Sequence, residues 1–173
     1  MKKPVPLSTL NEMTCEQFVG VCGGLFEHSP WIADRTWLRR PFSSRDQLHA
    51  ALVATVAAAT EQEQVGLIAA HPDLVGKLAR EGKLTNESTA EQRAAGLAGL
   101  SDEEVAAFDR YNEQYRSRFG FPFVICAREN KKEAILAAFP VRLKNDRRQE
   151  IITALAEIAK IANLRLHDAV SQE

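Results

Sequence analysis

Apolar residues recur at three- and four-residue steps along most of the chain, the spacing of one face of a helix. Over 14–27 they are Phe18, Val19, Cys22, Leu25 and Phe26, with Thr14 as N-cap and Gln17 completing a capping box. Ser29-Pro30 starts a short helix carrying Trp31, Ile32 and Trp37, since proline suits a first helical position, and Pro41 ends it. Ser43 or Ser44 caps an alanine-rich helix through Leu48, Ala51, Leu52, Thr55 and Val56. A break near Thr60 leads to the run Val65-Gly66-Leu67-Ile68-Ala69-Ala70, which stops abruptly at His71-Pro72-Asp73-Leu74.

Beyond it, 75–85 reads as a loop or a frayed helical turn. Asn86 begins a helix kept short by Gly96 and Gly99, and Ser88 with Glu91 fits an S-x-x-E capping box. Ser101 and Glu104 form another, opening a longer helix through Val105, Phe108, Tyr111 and Tyr115 that Phe119-Gly120 closes. Phe121-Pro122-Phe123-Val124-Ile125-Cys126-Ala127 is the most apolar stretch, too short for a helix and without a partner strand, so a buried extended segment is expected there. Its buried amides and carbonyls need partners, and a ligand could supply some of them. A helix over 131–139 is expected to end at Pro140, and Asp146 starts the longest one, to about Val170. Its apolar stripe Ile151, Leu155, Ile158, Ala162 continues onto Arg165. With no repeat and no low-complexity tract, the pattern predicts an all-α, single-domain bundle of about seven to nine helices, spanning 1–173, with the extended segment near 121–127.

Composition narrows the class. A chain of 173 residues can bury a core without disulfides or metals. Cys15, Cys22 and Cys126 include no C-x-x-C pair and are odd in number, which favours core cysteines in a reducing compartment. The basic opening Met1-Lys2-Lys3-Pro4 leads into polar residues and does not read as a signal peptide, and no apolar stretch reaches the roughly 20 residues of a spanning helix. Twenty-two basic and 23 acidic side chains, a net charge of −1, give no general footprint for nucleic acid or an anionic membrane, and leave a small neutral or anionic ligand as the expected partner.

Four places carry candidate chemistry, each with a plainer reading beside it. Proline lacks an amide hydrogen and disfavours α geometry in the residue before it, so His71 is expected as the last, bent-out residue of its helix, free to face a cavity or to cap carbonyls. His28, His49 and His167 show no metal-binding spacing with it, so no metal site is expected. Ser88 and Glu91 serve as a cap, while Glu91-Gln92 in a first helical turn also offers an acceptor and an amide to a ligand. Arg165 on an apolar stripe must snorkel, pair with a carboxylate, or hold an anion. The run around Ile125 is core by composition, yet an extended backbone alternates N–H and C=O in a way that matches a ureido or cyclic-imide group.

These places together resemble the 2-oxo-4-hydroxy-4-carboxy-5-ureidoimidazoline (OHCU) decarboxylases of urate degradation. The resemblance rests on Leu67-Ile68-Ala69-Ala70-His71-Pro72-Asp73-Leu74, Ser88-Thr89-Ala90-Glu91-Gln92 with Ala95-Gly96-Leu97, Phe119-Gly120 through Arg128, and Glu157-Ile158 to Arg165-Leu166. It implies an all-helical homodimer catalysing a cofactor-free decarboxylation of OHCU to (S)-allantoin. It carries the catalytic histidine onto His71 and the essential glutamate onto Glu91. Substrate-binding positions fall on Pro72, Ser88, Thr89, Ala90, Glu91, Gln92, Phe123, Val124, Ile125, Cys126, Ala127 and Arg165. The ending Ser171-Gln172-Glu173, in place of the S-K-L address of peroxisomal members, leads to an expected cytoplasmic location. The competing readings are a ureide or cyclic-amide hydrolase and a helical interaction module without chemistry.

Overall fold

A computed structural model describes residues 3–173; the opening Met1-Lys2 lies outside the described residues. In chain order the elements are β1 Val5–Pro6, α1 Leu7–Glu12, α2 Cys15–Cys22, α3 Trp31–Trp37, α4 Arg45–Ala57, α5 Glu61–Ala69, α6 Lys77–Arg80, α7 Asn86–Ala94, α8 Asp102–Phe119, α9 Lys132–Arg142, α10 Arg147–Ala169 and β2 Val170–Ser171, with 3-10 turns at Gly23–Leu25 and Ala127–Glu129. The architecture is all-α, and the ten helices among the described residues exceed the expected seven to nine because α1 and α6 are short pieces with little periodicity to read. No described helix is long and apolar enough to cross a membrane. The packing groups the chain into two compact units, one of residues up to Ala70 with Ala159–Glu173, the other His71–Ile158.

In the first unit, Thr14 and Gln17 make both bonds of the expected capping box, and Ser44 caps α4. The break near Thr60 is a second capping box, made with Glu63. Phe18, Ile32, Leu48 and Leu52 are fully buried, and α3 packs on α2 and α4. Inside this apolar contact the Thr36 and Thr55 hydroxyls satisfy one another at 2.7 Å. The side-chain amide of Asn11 both donates to Phe42 O and accepts from Phe42 N, each at 2.8 Å, which ties α1 to the stretch before α4. Two-residue strands pair in parallel, Val5 opposite Val170 and Pro6 opposite Ser171.

In the second unit, Ser101 and Glu104 complete their capping box, and Gly120 ends α8 at φ 81°, a left-handed conformation that glycine adopts without a Cβ penalty. The residues after it, 121–126, are neither helix nor strand and are buried except at Ile125, as the sequence pattern predicts. Pro140 does not end its helix. Proline removes only its own N–H, and α9 continues to Arg142 with Leu143 N still bonded to Phe139 O at 2.9 Å.

That extra turn has a purpose in the packing. Arg142 is buried, its Nη1 donates to Val124 O at 2.6 Å, and its guanidinium lies 4.3 Å from the Phe123 ring centre. Glu150, with no exposed surface, compensates the charge: Arg142 Nε donates to its Oε2 at 2.9 Å, Tyr115 donates to the same oxygen, and Asn145 Nδ2 donates to Oε1 at 2.7 Å. Burial, followed by the bond to Glu150, pushes the Tyr115 hydroxyl above its ordinary range, so it stays a donor. Phe123 and Phe139 stack at 3.9 Å, with Tyr115 edge-on to both. Removing one member of a buried ion pair strands the other, so Glu150→Ala is expected to cost about 3–5 kcal/mol in urea denaturation. Replacing the pair together, by Arg142→Met with Glu150→Leu, should recover part of that loss but not all, because Val124 O loses its donor.

Candidate active site

His71 is the first residue beyond the cap of α5, which ends at Ala69, two residues earlier than expected, with Ala70 as its C-cap. It is buried, and the five residues after it form a turn held by other elements of the second unit. Asp73 accepts two bonds from Arg116 Nε, at 2.9 and 3.0 Å; Leu74 O accepts from Asn112 Nδ2 at 2.9 Å; Val75 N donates to Gln92 Oε1 at 3.0 Å. Val75 stands at φ 56°, and a Cβ on Gly76 would come within 2.7 Å of Asp73 Cβ, so a glycine is needed there.

Helix α7 contributes the next group, with a correction to its cap. The N-cap is Thr85, whose side chain accepts from Ser88 N at 3.2 Å; Ser88 is the third helical residue, and Glu91 and Gln92 lie a turn further on, away from the free N-terminal amides. The S-x-x-E spacing matched, but the preceding threonine takes the cap because the helix starts at Asn86. Ser88 and Gln92 are consequently buried on one face, with Glu91 half-exposed beside them, while Thr89 and Ala90 are exposed and the Thr89 hydroxyl is spent on Thr85 O at 2.9 Å.

The 123–127 segment sits against this helix through the turn Ala127–Glu129, and Lys132 N bonds Ala95 O at 3.2 Å. Two of its peptide groups are already engaged: Val124 O by Arg142, and Cys126 N by Glu157 Oε2 at 2.8 Å. The half-exposed Ile125 keeps its N–H and C=O outside these bonds. The Cys126 thiol is pushed up to about 11, chiefly by burial, with nearby carboxylates including Glu91 adding to it. The loop after His71, α7 and the Ile125 segment are therefore bonded or packed together within one unit. A cavity of about 260 Å³ beside α7 is lined by Val75, Leu84, Thr89, Gln92 and Leu97 among others, and not by His71, Glu91 or the 123–127 segment.

Arg165 belongs to the first unit and does not snorkel. It is buried, and its Nη1 donates to Glu27 Oε2 at 3.0 Å and to Gly24 O at 3.4 Å. Glu27 is equally buried, placed by a bend in which His28 takes φ 46° and Ser29 Oγ donates to Glu27 O at 2.9 Å. Sequence reasoning passed over Glu27, Asn112, Arg142, Glu150 and Glu157. Asn112 had a signal: it stands on the α8 stripe between Phe108 and Tyr115, where a polar side chain needs a reason.

A sequence profile of the family described as OHCU decarboxylase matches residues 11–167. The chain is 41% identical over 167 residues to a Haloferax volcanii protein named 2-oxo-4-hydroxy-4-carboxy-5-ureidoimidazoline decarboxylase, covering 96% of this chain and 97% of that one. To an Amia calva protein of the same name it is 41% identical over 161 residues, covering 93% and 92%. Among solved structures, a crystal structure of (S)-allantoin synthase superimposes with a TM-score of 0.77 at 28% identity, covering 97% of this chain; the chain spans about half, 54%, of that one. An OHCU decarboxylase crystallised in the presence of (S)-allantoin has the same fold, with a TM-score of 0.68 at 21% identity over 88% of this chain and 96% of that one.

The corrected cap is open to test. Thr85→Ala is expected to lower stability by about 1 kcal/mol through the lost cap. Ser88→Ala should lower it less in the same denaturation assay, and the reverse order would return the cap to Ser88.

Proposed function

The chain belongs to the OHCU decarboxylase family, and we propose on that premise that it is a carboxy-lyase converting OHCU to (S)-allantoin, the last step from urate to allantoin. Near full-length similarity to proteins of that name carries the reading. In OHCU the carboxylate is on a ring carbon beside an unsaturated, nitrogen-bearing carbon. The bond to the carboxylate breaks, CO2 leaves, and the electron pair moves into that adjacent C=N system. A proton then adds to the ureido-bearing carbon, and the hydroxyl oxygen ends as a carbonyl.

The chain's task is thus to orient the substrate and to deliver one proton to one face. We assign the delivery to His71, whose burial removes it from competing solvent. Glu91 holds the substrate's hydroxyl or an NH as charge moves. The Ile125 peptide pairs with a ureido or ring amide edge, which carries a donor beside an acceptor. Arg165, directed by Glu27, fixes an anionic or carbonyl oxygen. Ser88 and Gln92 border Glu91, and Pro72 ends the helix so that the imidazole turns out of it. A hydrolase using a thiol nucleophile finds no support: burial raises Cys22 to about 12, and Cys126 is likewise raised, so neither forms thiolate readily. The finer expectations of a homodimer and a cytoplasmic location are part of the same proposal.

Freshly generated OHCU, made from urate by oxidation and hydrolysis, supplies the test. The protein should accelerate CO2 release and give optically active allantoin; ring opening without CO2, or no acceleration, would overturn the reading. His71→Ala should lower kcat by about a hundredfold or more while barely changing affinity for an allantoin-like ligand. Near-normal stereospecific turnover by that variant would remove His71 from its role. Arg165→Ala should weaken ligand binding, and Arg165→Lys should restore it only in part if the contact is forked.

A further inference from the structure

The turn after His71 is one the chain does not adopt freely. Val75 is β-branched, yet it stands at φ 56°, a region that such residues rarely occupy. It persists because side chains from two helices seize both ends of the peptide group that precedes its Cα: Asn112 Nδ2 donates to Leu74 O at 2.9 Å, and Gln92 Oε1 accepts from Val75 N at 3.0 Å. Gln92 thereby uses its acceptor on the chain itself.

Asn112 is the more telling of the two. It is 5% exposed, and its Oδ1 has no hydrogen-bond partner among the described residues. A buried acceptor without a partner costs stability, and a leucine at this point of an apolar stripe would avoid the cost. What the amide supplies in exchange is one bond, to the peptide three residues after His71. Between the two lies Pro72, whose ring fixes its own φ, so that a displacement at Leu74 is carried back to the imidazole with little slack.

We propose that Asn112, with Gln92, is a positioning residue for the decarboxylation: it fixes the 71–76 turn, and through it the face from which His71 presents its proton. This rests on the reading of His71 as proton donor. Asn112 acts through the turn, so its loss should misplace the proton donor without removing it. A displacement of about 1 Å at a reacting group can cost a hundredfold in rate. Solvent protonation then competes with the imidazole, and the product loses optical purity.

Asn112→Leu keeps the branched shape of the side chain and removes both the bond and the orphaned oxygen. Its thermal midpoint should stay within a few degrees of the wild type's, since relief of the orphaned oxygen is offset by the stranding of Leu74 O; its KM should stay within roughly threefold, its kcat should fall about ten- to a hundredfold, and the enantiomeric excess of fresh allantoin should drop. Adding Val75→Gly, which removes the buried anchor and frees the turn, should lower kcat and optical purity further. Should Asn112→Leu fail to fold, Asn112→Ala carries the same readouts. Variants that match the wild type in kcat and optical purity would overturn the proposal. So would a rate loss that follows only the folded fraction, with optical purity intact. If the wild type itself gives neither acceleration nor chirality, the function reading fails before this one is reached.

Discussion

A stretch of non-helical backbone buried inside a helical protein sets the terms for the second unit. Helices satisfy their own peptide groups; residues 121–127 cannot, and except at Ile125 they are buried from water. The solution is to send long polar side chains inward from α9 and α10. Arg142 reaches Val124 O and Glu157 reaches Cys126 N, so the segment borrows its partners from neighbouring helices. Arg142 could not be buried alone, since an uncompensated charge would cost several kcal/mol. Glu150 therefore sits beside it, and Tyr115 and Asn145 satisfy the remaining lone pairs of Glu150. The aromatic cluster of Tyr115, Phe123 and Phe139 packs around this network and excludes water from it.

The same device recurs wherever the proposed chemistry needs a fixed group. Arg165 is held by Glu27 in the first unit, and the turn after His71 is held by Asn112, Gln92 and Arg116 in the second. Each is a polar side chain spent on orienting another group. This suits a reaction whose substrate carries its own electron sink. Such a reaction gains most from alignment and from one well-aimed proton, and alignment depends on stiffness in the supporting residues. Because Glu27 matches the charge of Arg165, the guanidinium contributes direction more than net field, which explains why a forked contact is expected of it and a lysine is a poor substitute.

Helix positions were largely legible from the chain because their signals are local. Thr14 with Gln17 and Ser101 with Glu104 cap the helices they were expected to cap, and Gly120 closes α8. Two local readings failed for identifiable reasons. Ser88 and Glu91 satisfied the capping pattern, but Thr85 started the helix one turn earlier. Pro140 was read as a stop, though proline in a last turn removes one bond and no more. For Arg165 the choice between snorkelling, a carboxylate partner and a bound anion stays open in the sequence, because Glu27 is 138 positions away and no local pattern pairs them. The candidate site was legible as residue types in a recognisable order; its supports were not, since Glu150, Asn112 and Glu157 act across helices.

Val75 illustrates how such support is built. Glycine would take a left-handed φ at no steric cost, and by that criterion alone it would be the better residue. Glycine would also leave the turn without a side chain in the core and free to take many other conformations. Val75 is 5% exposed, so its branched side chain anchors the turn in apolar surroundings while its N–H is held by Gln92. The strain is of the order of 1–2 kcal/mol, comparable with what burying a valine side chain returns, about 1.5 kcal/mol or more. The turn is thus close to neutral in its own energetics, and its geometry is decided by the bonds from α7 and α8. A His71 loop held by α7, the helix on which the candidate residues Ser88 and Glu91 stand, can keep register with them, which a loop held only by its own conformational preference could not do.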